Sequence, residues 1–154
     1  MRYFSILLIL ISCSNNKLKV ETKVEQLRNS AFQFYNRSEY DKALPLLDSL
    51  IKLDSTNGEY YFKRANCFFS IGKRESSITD DLKAINLGYR KDASYYDIGL
   101  CYLFNNDTLA VFYFTKCLKE NPNHLKALNM INEIRSRYPA HLNKVVAGEH
   151  KRAH

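Results

Sequence analysis

Residues 60–88 read YYFKRANCFFSIGKRESSITDDLKAINLG, and the placing of bulky and small residues along them decides the fold. Tyr61, Ala65 and Phe68 stand at offsets of 0, +4 and +7, which puts all three on one face of a helix, a small residue between two large ones. A small residue there lets a second helix approach closely. Gly72 marks a turn, and Arg74 to Leu87 carries a second helical pattern with Ser77 and Ala84 as its small positions. Gly88 supplies a residue able to end that helix in the left-handed conformation. The segment is a helical hairpin.

The hairpin recurs. At one constant shift Leu27, Tyr61 and Tyr95 fall in register, as do Ala31, Ala65 and Gly99, and then Phe34, Phe68 and Tyr102. Second helices follow at Tyr40 to Leu53, Arg74 to Leu87 and Asp107 to Lys119, with Ala43, Ala110 and Cys117 as further small positions. The third unit is one residue shorter between Gly99 and Ala110 than the first is between Ala31 and Ala43. Its turn, Asn105-Asn106-Asp107, is therefore tightened, and these residue types can satisfy backbone donors there. The pattern resembles the tetratricopeptide repeat (TPR), a helix–turn–helix unit of about 34 residues that stacks into a solenoid. The resemblance implies an all-α fold, a TPR-type helical-hairpin solenoid of three repeats at 24–57, 58–91 and 92–124.

A solenoid has open ends that need covering. Residues 125–138 supply a C-terminal capping helix, with Leu128, Ile131, Ile134 and Tyr138 as its apolar stripe and Pro139 as its stop. A basic tail, 139–154, follows. Asp80-Asp81 and Glu75 are expected on a solvated helix exterior.

The chain begins MRYFSILLILISCSNNK. Arg2 is followed by an apolar stretch from Tyr3 to Ile11, far short of the ~20 residues a membrane-crossing helix needs. A short apolar core behind a basic start is the pattern of a signal peptide. Leu10-Ile11-Ser12-Cys13 resembles the lipobox of bacterial lipoproteins, which implies a signal peptide at 1–12, lipidation of Cys13 and a flexible tether at 13–23. One acyl chain binds a membrane only marginally, so stable anchoring requires more than one. The expected location is the bacterial cell envelope, lipid-anchored; Ser14 in place of an aspartate favours the outer membrane, facing the periplasm, in a Gram-negative source. The formal charge of +7 includes only Arg2 from the leader. The surplus belongs to the body of the protein and suits an anionic surface or an acidic partner.

Eleven Tyr and nine Phe are more than the core positions consume. A second stripe lies one residue along from the core stripe, about 100° round each first helix. It runs Arg28, Phe32, Tyr35; then Phe62, Asn66, Phe69; then Tyr96, Leu100, Leu103 with Phe104. In the TPR family this stripe lines the concave surface, which implies a peptide-binding groove; a contiguous exposed apolar surface of this kind marks an interaction site. Either a partner or the basic tail or capping helix covers it. Phe32 behind Arg28 departs from the basic and asparagine clamp with which some TPR domains hold a terminal carboxylate.

Nothing in the residues points to catalysis. There is no GxSxG, phosphate-cradling glycine loop or HExxH. His150 and His154 have helical metal-pair spacing without further ligands nearby. Cys67, Cys101 and Cys117 are an odd set, best placed as small core residues, with a Cys101–Cys117 bridge as the alternative. The expectation is a non-catalytic adaptor with no cofactor, no metal and no small-molecule substrate. Its partners are a protein or peptide and, through the lipid, a membrane; nucleic acid does not suit an exported chain. An assembly factor or pilotin for an envelope or secretion machine is the alternative.

Overall fold

The computed structural model describes residues 22–137. These form α1 (22–36), α2 (Tyr40–Leu53), α3 (Gly58–Ser70), α4 (Arg74–Asn86), α5 (Lys91–Tyr102), α6 (Asp107–Glu120) and α7 (Leu125–Arg137). No strand occurs among the described residues, and no helix there is long and apolar enough to cross a membrane. Sequential helices pack on one another from α2 through α7, and α3 also touches α5. That is the packing of stacked hairpins, with α7 against the last of them. The leader, Cys13, Tyr138 and the tail lie outside the described residues.

Local chemistry explains the punctuation. Gly72 and Gly88 adopt positive φ at +80° and +76°, the left-handed conformation that costs glycine nothing. In both turns the next residue's N–H bonds back across the helix end: Lys73 to the Phe68 carbonyl at 2.8 Å and Tyr89 to that of Ala84 at 2.9 Å. Ser38 (φ 59°) performs the same closure after α1, with Glu39 N–H on the Phe34 carbonyl at 2.9 Å. In the shortened third unit the left-handed residue is Phe104 (φ 70°), and Asn106 caps α6 by accepting from Leu109 N–H at 3.0 Å.

The small positions do what their spacing implies. Ala31, Ala43, Ala65, Ala84 and Ala110 are fully buried, and Gly99 is buried with them. Two apolar clusters result. One gathers Ala31, Ala43, Leu47, Leu50, Tyr60 and Cys67; the other gathers Ala110, Val111, Phe114, Cys117, Ala127, Ile131 and Ile134. Cys67, Cys101 and Cys117 are buried free thiols.

Two expectations are corrected. Asp80 and Asp81 are not on a solvated exterior: they are 4% and 0% exposed. Asp81 repeats the position of Leu47, one unit earlier, and that of Phe114, one shortened unit later, both fully buried. It therefore occupies the core position of the middle hairpin. Asp80 is held by Arg64, whose Nε and Nη2 donate to its two oxygens at 2.7 and 2.8 Å. In α7 the buried stripe is Ala127, Ile131 and Ile134, while Leu128 is 41% exposed. The helix is rotated so that its smallest apolar residue, rather than a leucine, meets the closely packed third unit.

Candidate functional site

The first helices of successive hairpins lie side by side, so residues one step from the core stripe face a common surface. There Tyr35 of α1, Phe62, Asn66 and Phe69 of α3, and Tyr96 of α5 line one cleft of about 470 Å³. Tyr40, Ser70, Arg90, Ala93, Asp97, His124 and Lys126 complete its wall. Five tyrosine and phenylalanine rings thus share the cleft with an equal weight of polar and charged side chains, and placed polar groups beside apolar ones are what fix a ligand's orientation in a recognition site.

Packing fixes the rings. Asn66 Nδ2 donates to the Tyr35 hydroxyl at 3.2 Å, joining α3 to α1 across the cleft, and burial raises the Tyr35 phenol above its ordinary pKa. Phe62 leans on Tyr89 at 5.8 Å between centroids, and the Arg90 guanidinium lies 5.4 Å from the Phe62 ring centroid. Tyr96 packs on Phe114 at 5.5 Å and on His124 at 4.8 Å. His124 is itself fixed, because its Nδ1 accepts from Ala127 N–H at 3.2 Å and so caps α7. Phe69 is 36% exposed. Arg90 adopts φ 39° at the start of α5, a left-handed conformation that a residue of this size seldom takes.

The remaining stripe residues go elsewhere. Arg28 bonds Glu25 of its own helix at 2.7 Å. Phe32 packs edge-on to Tyr60, and the Lys63 ammonium lies 4.4 Å from its ring centroid and 4.5 Å from that of Tyr35. Leu100 and Leu103 pack into the last apolar cluster, which contains Ala127, Ile131 and Ile134 of α7. Phe104 is 73% exposed, with the Arg137 guanidinium 4.9 Å from its ring. The third-unit end of the stripe is thus partly buried in the last apolar cluster, formed by α6 and α7, while the middle lines the cleft.

Sequence reasoning passed over Tyr40, Arg90, Asp97, His124 and Lys126. Asp97 carried a usable signal: it repeats the position of Lys63 one unit on and is adjacent to Tyr96, so α5 lines the cleft with two neighbouring rows. Burial pushes the Asp97 carboxyl up to about 6, against the pull of Arg90 and Lys126. Asp92, nearby on α5, is held below its usual range by the Asn121 amide, which donates to it at 3.1 Å.

Comparison with known proteins agrees with this architecture. Residues 93–124 match the family model of the tetratricopeptide repeat. DnaJ homolog subfamily C member 3 of Gallus gallus is 22% identical over 123 residues, 79% of this chain and 24% of that protein. Its Mus musculus counterpart is 22% identical over 134 residues, 86% of this chain and 26% of that protein. The chain spans about a quarter of the length of these relatives. Among solved structures, MamA superposes with a TM-score of 0.72 at 21% identity, covering 86% of this chain and 78% of that one. The Yersinia enterocolitica type III secretion chaperone SycD, in complex with a peptide of the translocator YopD, gives 0.69 at 16% identity, covering 75% and 94%. The first TPR of Spaghetti, bound to an HSP90 peptide, gives 0.68 at 19%, covering 77% and 95%. The fold is that of a tetratricopeptide repeat protein.

Proposed function

We propose that this protein is a non-catalytic adaptor that holds a protein partner in the cleft between α1, α3 and α5 while lipidated Cys13 ties it to the bacterial cell envelope. The observation that carries the reading is the cleft itself, where Tyr35, Tyr40, Phe62, Phe69 and Tyr96 converge from four helices. Rings supply much contact area at low entropic cost and are the residue types enriched where proteins bind each other. The peptides held by the SycD and Spaghetti structures support a peptide-like occupant.

The test is capture of envelope proteins by the chain carrying Phe62→Ala, Phe69→Ala and Tyr96→Ala together. Capture should be lost while helicity is retained; capture at the original level would remove the cleft from the mechanism. The lipobox supports a second reading, an assembly factor or pilotin whose lipid is the essential part. Cys13→Ala separates the two. An adaptor keeps its binding in solution, whereas a pilotin loses its function along with its position.

A further inference from the structure

We infer that the cleft contains a cation-accepting subsite at Asp97, so that the bound peptide presents a lysine or arginine side chain there. The inference rests on the reading of the cleft as the binding site and adds to it the chemistry of the occupant.

Three observations converge on this carboxylate. Asp97 lines the cleft yet is only partly exposed, and no lysine, arginine or histidine nitrogen among the described residues reaches it within ion-pair distance. The contrast with Asp80 is direct, since that buried acid has the Arg64 fork. A carboxylate withdrawn from water is unfavourable until it is paired. Second, the cleft that Asp97 lines also holds the rings of Tyr35, Tyr40, Phe62, Phe69 and Tyr96, and ring faces attract cations. The molecule already seats one cation this way, with Lys63 over Phe32 and Tyr35. Third, the internal cations do not fill the place. Arg90 and Lys126 are exposed side chains, and the Arg90 guanidinium lies against Phe62 instead. They favour acidic residues flanking the cationic one. A terminal carboxylate placed centrally would meet Asp97 and be repelled.

The groups that face Asp97 set the pH response. Asp81 approaches from α4, Tyr35 from α1, Arg90 from the start of α5, and His124 and Lys126 from the start of α7. Asp97 titrates at about 6, so it is ionised at pH 7.5 and mostly neutral at pH 5.

The test titrates the 15N-labelled full chain with N-acetyl-arginine amide, and with N-acetyl-norleucine amide as the uncharged match. At pH 7.5 the arginine probe should give saturable amide shifts centred on residues 93–97 and 124–126, and the norleucine probe none. Affinity should fall about ten-fold at pH 5, as the ionised fraction of a group titrating near 6 falls, and by a similar factor in Asp97→Asn. Asp97→Glu, which keeps the charge, should retain binding and guards against a folding defect. Absence of a saturable shift, or an affinity unchanged in Asp97→Asn, overturns the subsite. Either result is independent of partner capture through Phe62, Phe69 and Tyr96, so the two readings can fail separately.

Discussion

A Cβ built on Gly99 would lie 2.4 Å from Cε1 of Phe114. The ring from α6 occupies the space that a methyl group fills at Ala31 and Ala65, and both Gly99 and Phe114 are buried. The third unit thus exchanges a small–small contact for one in which a ring sits against bare backbone.

Gly99→Ala should therefore destabilise the protein. Overpacking of this kind costs about 1–3 kcal/mol, and the better helix propensity of alanine returns only about 1 kcal/mol. Urea denaturation should show a lowered midpoint for Gly99→Ala and partial recovery when Phe114→Leu is added. A midpoint unmoved by the first change would mean that the ring is free to step aside.

Asp81 gives the fold an unusual pH dependence. Burial pushes its carboxyl up to about 8, helped by the charge of Asp97, and the neighbouring Ser94 hydroxyl offsets only part of this. A carboxyl raised in the folded state binds its proton more tightly there than in the unfolded chain. Its contribution to stability is then greatest below its unfolded value near 4 and declines as pH rises towards 8. Thermal unfolding at pH 5 and pH 8.5 checks this: the wild type should melt lower at pH 8.5, and Asp81→Asn should narrow the gap. Equal melting temperatures at both values would place Asp81 in contact with water.

Arg64 joins three helices. It donates to Asp80 of α4 through two bonds and to Asp48 of α2 through Nη1 at 2.7 Å, while its guanidinium lies over Tyr61 and Phe68. Its pKa is raised chiefly by the bond to Asp80. Removing the cation would leave Asp80, which is 4% exposed, without a partner, and such losses cost about 3–5 kcal/mol. Arg64→Ala should approach that figure in chemical denaturation. Arg64→Lys should recover only part of it, because an ammonium cannot reproduce the paired fork.

Phe104 should tolerate replacement. Its φ of 70° is a conformation that glycine and asparagine take more easily, and its ring is mostly in solvent. Phe104→Asn should leave stability unchanged or raise it by up to about 1 kcal/mol, at the loss, among the described residues, of the Arg137 contact. A clear fall in melting temperature would show that the ring supports α7.

The repeat was legible because helix packing leaves a periodic trace. Ala31, Ala65 and Gly99 must be small for the hairpins to close, and the bulky residues around them must face inward, so sliding the chain by one unit exposes the architecture. The site was legible in part for the same reason: Phe62, Phe69 and Tyr96 sit one step from the core stripe. Asp81 could not be placed by residue type, since a carboxylate suggests a surface and only its register with Leu47 reveals a core position. His124 and Lys126 enter the cleft through the angle at which α7 begins, which no period within the repeats encodes. Leu100 and Leu103 belong to the stripe by spacing, but they pack into the cluster that α6 and α7 form.

The buried polar row of Ser77, Asp81 and Ser94 runs between two oily blocks, one riveted by Arg64 and the other locked by Phe114. An array whose middle carries polar side chains where its neighbours carry apolar ones has a built-in parting plane. Pulled or warmed, it would divide there into two halves before either half melts, and because Asp97 borders that plane, whatever fills the neighbouring hollow would act as its clasp.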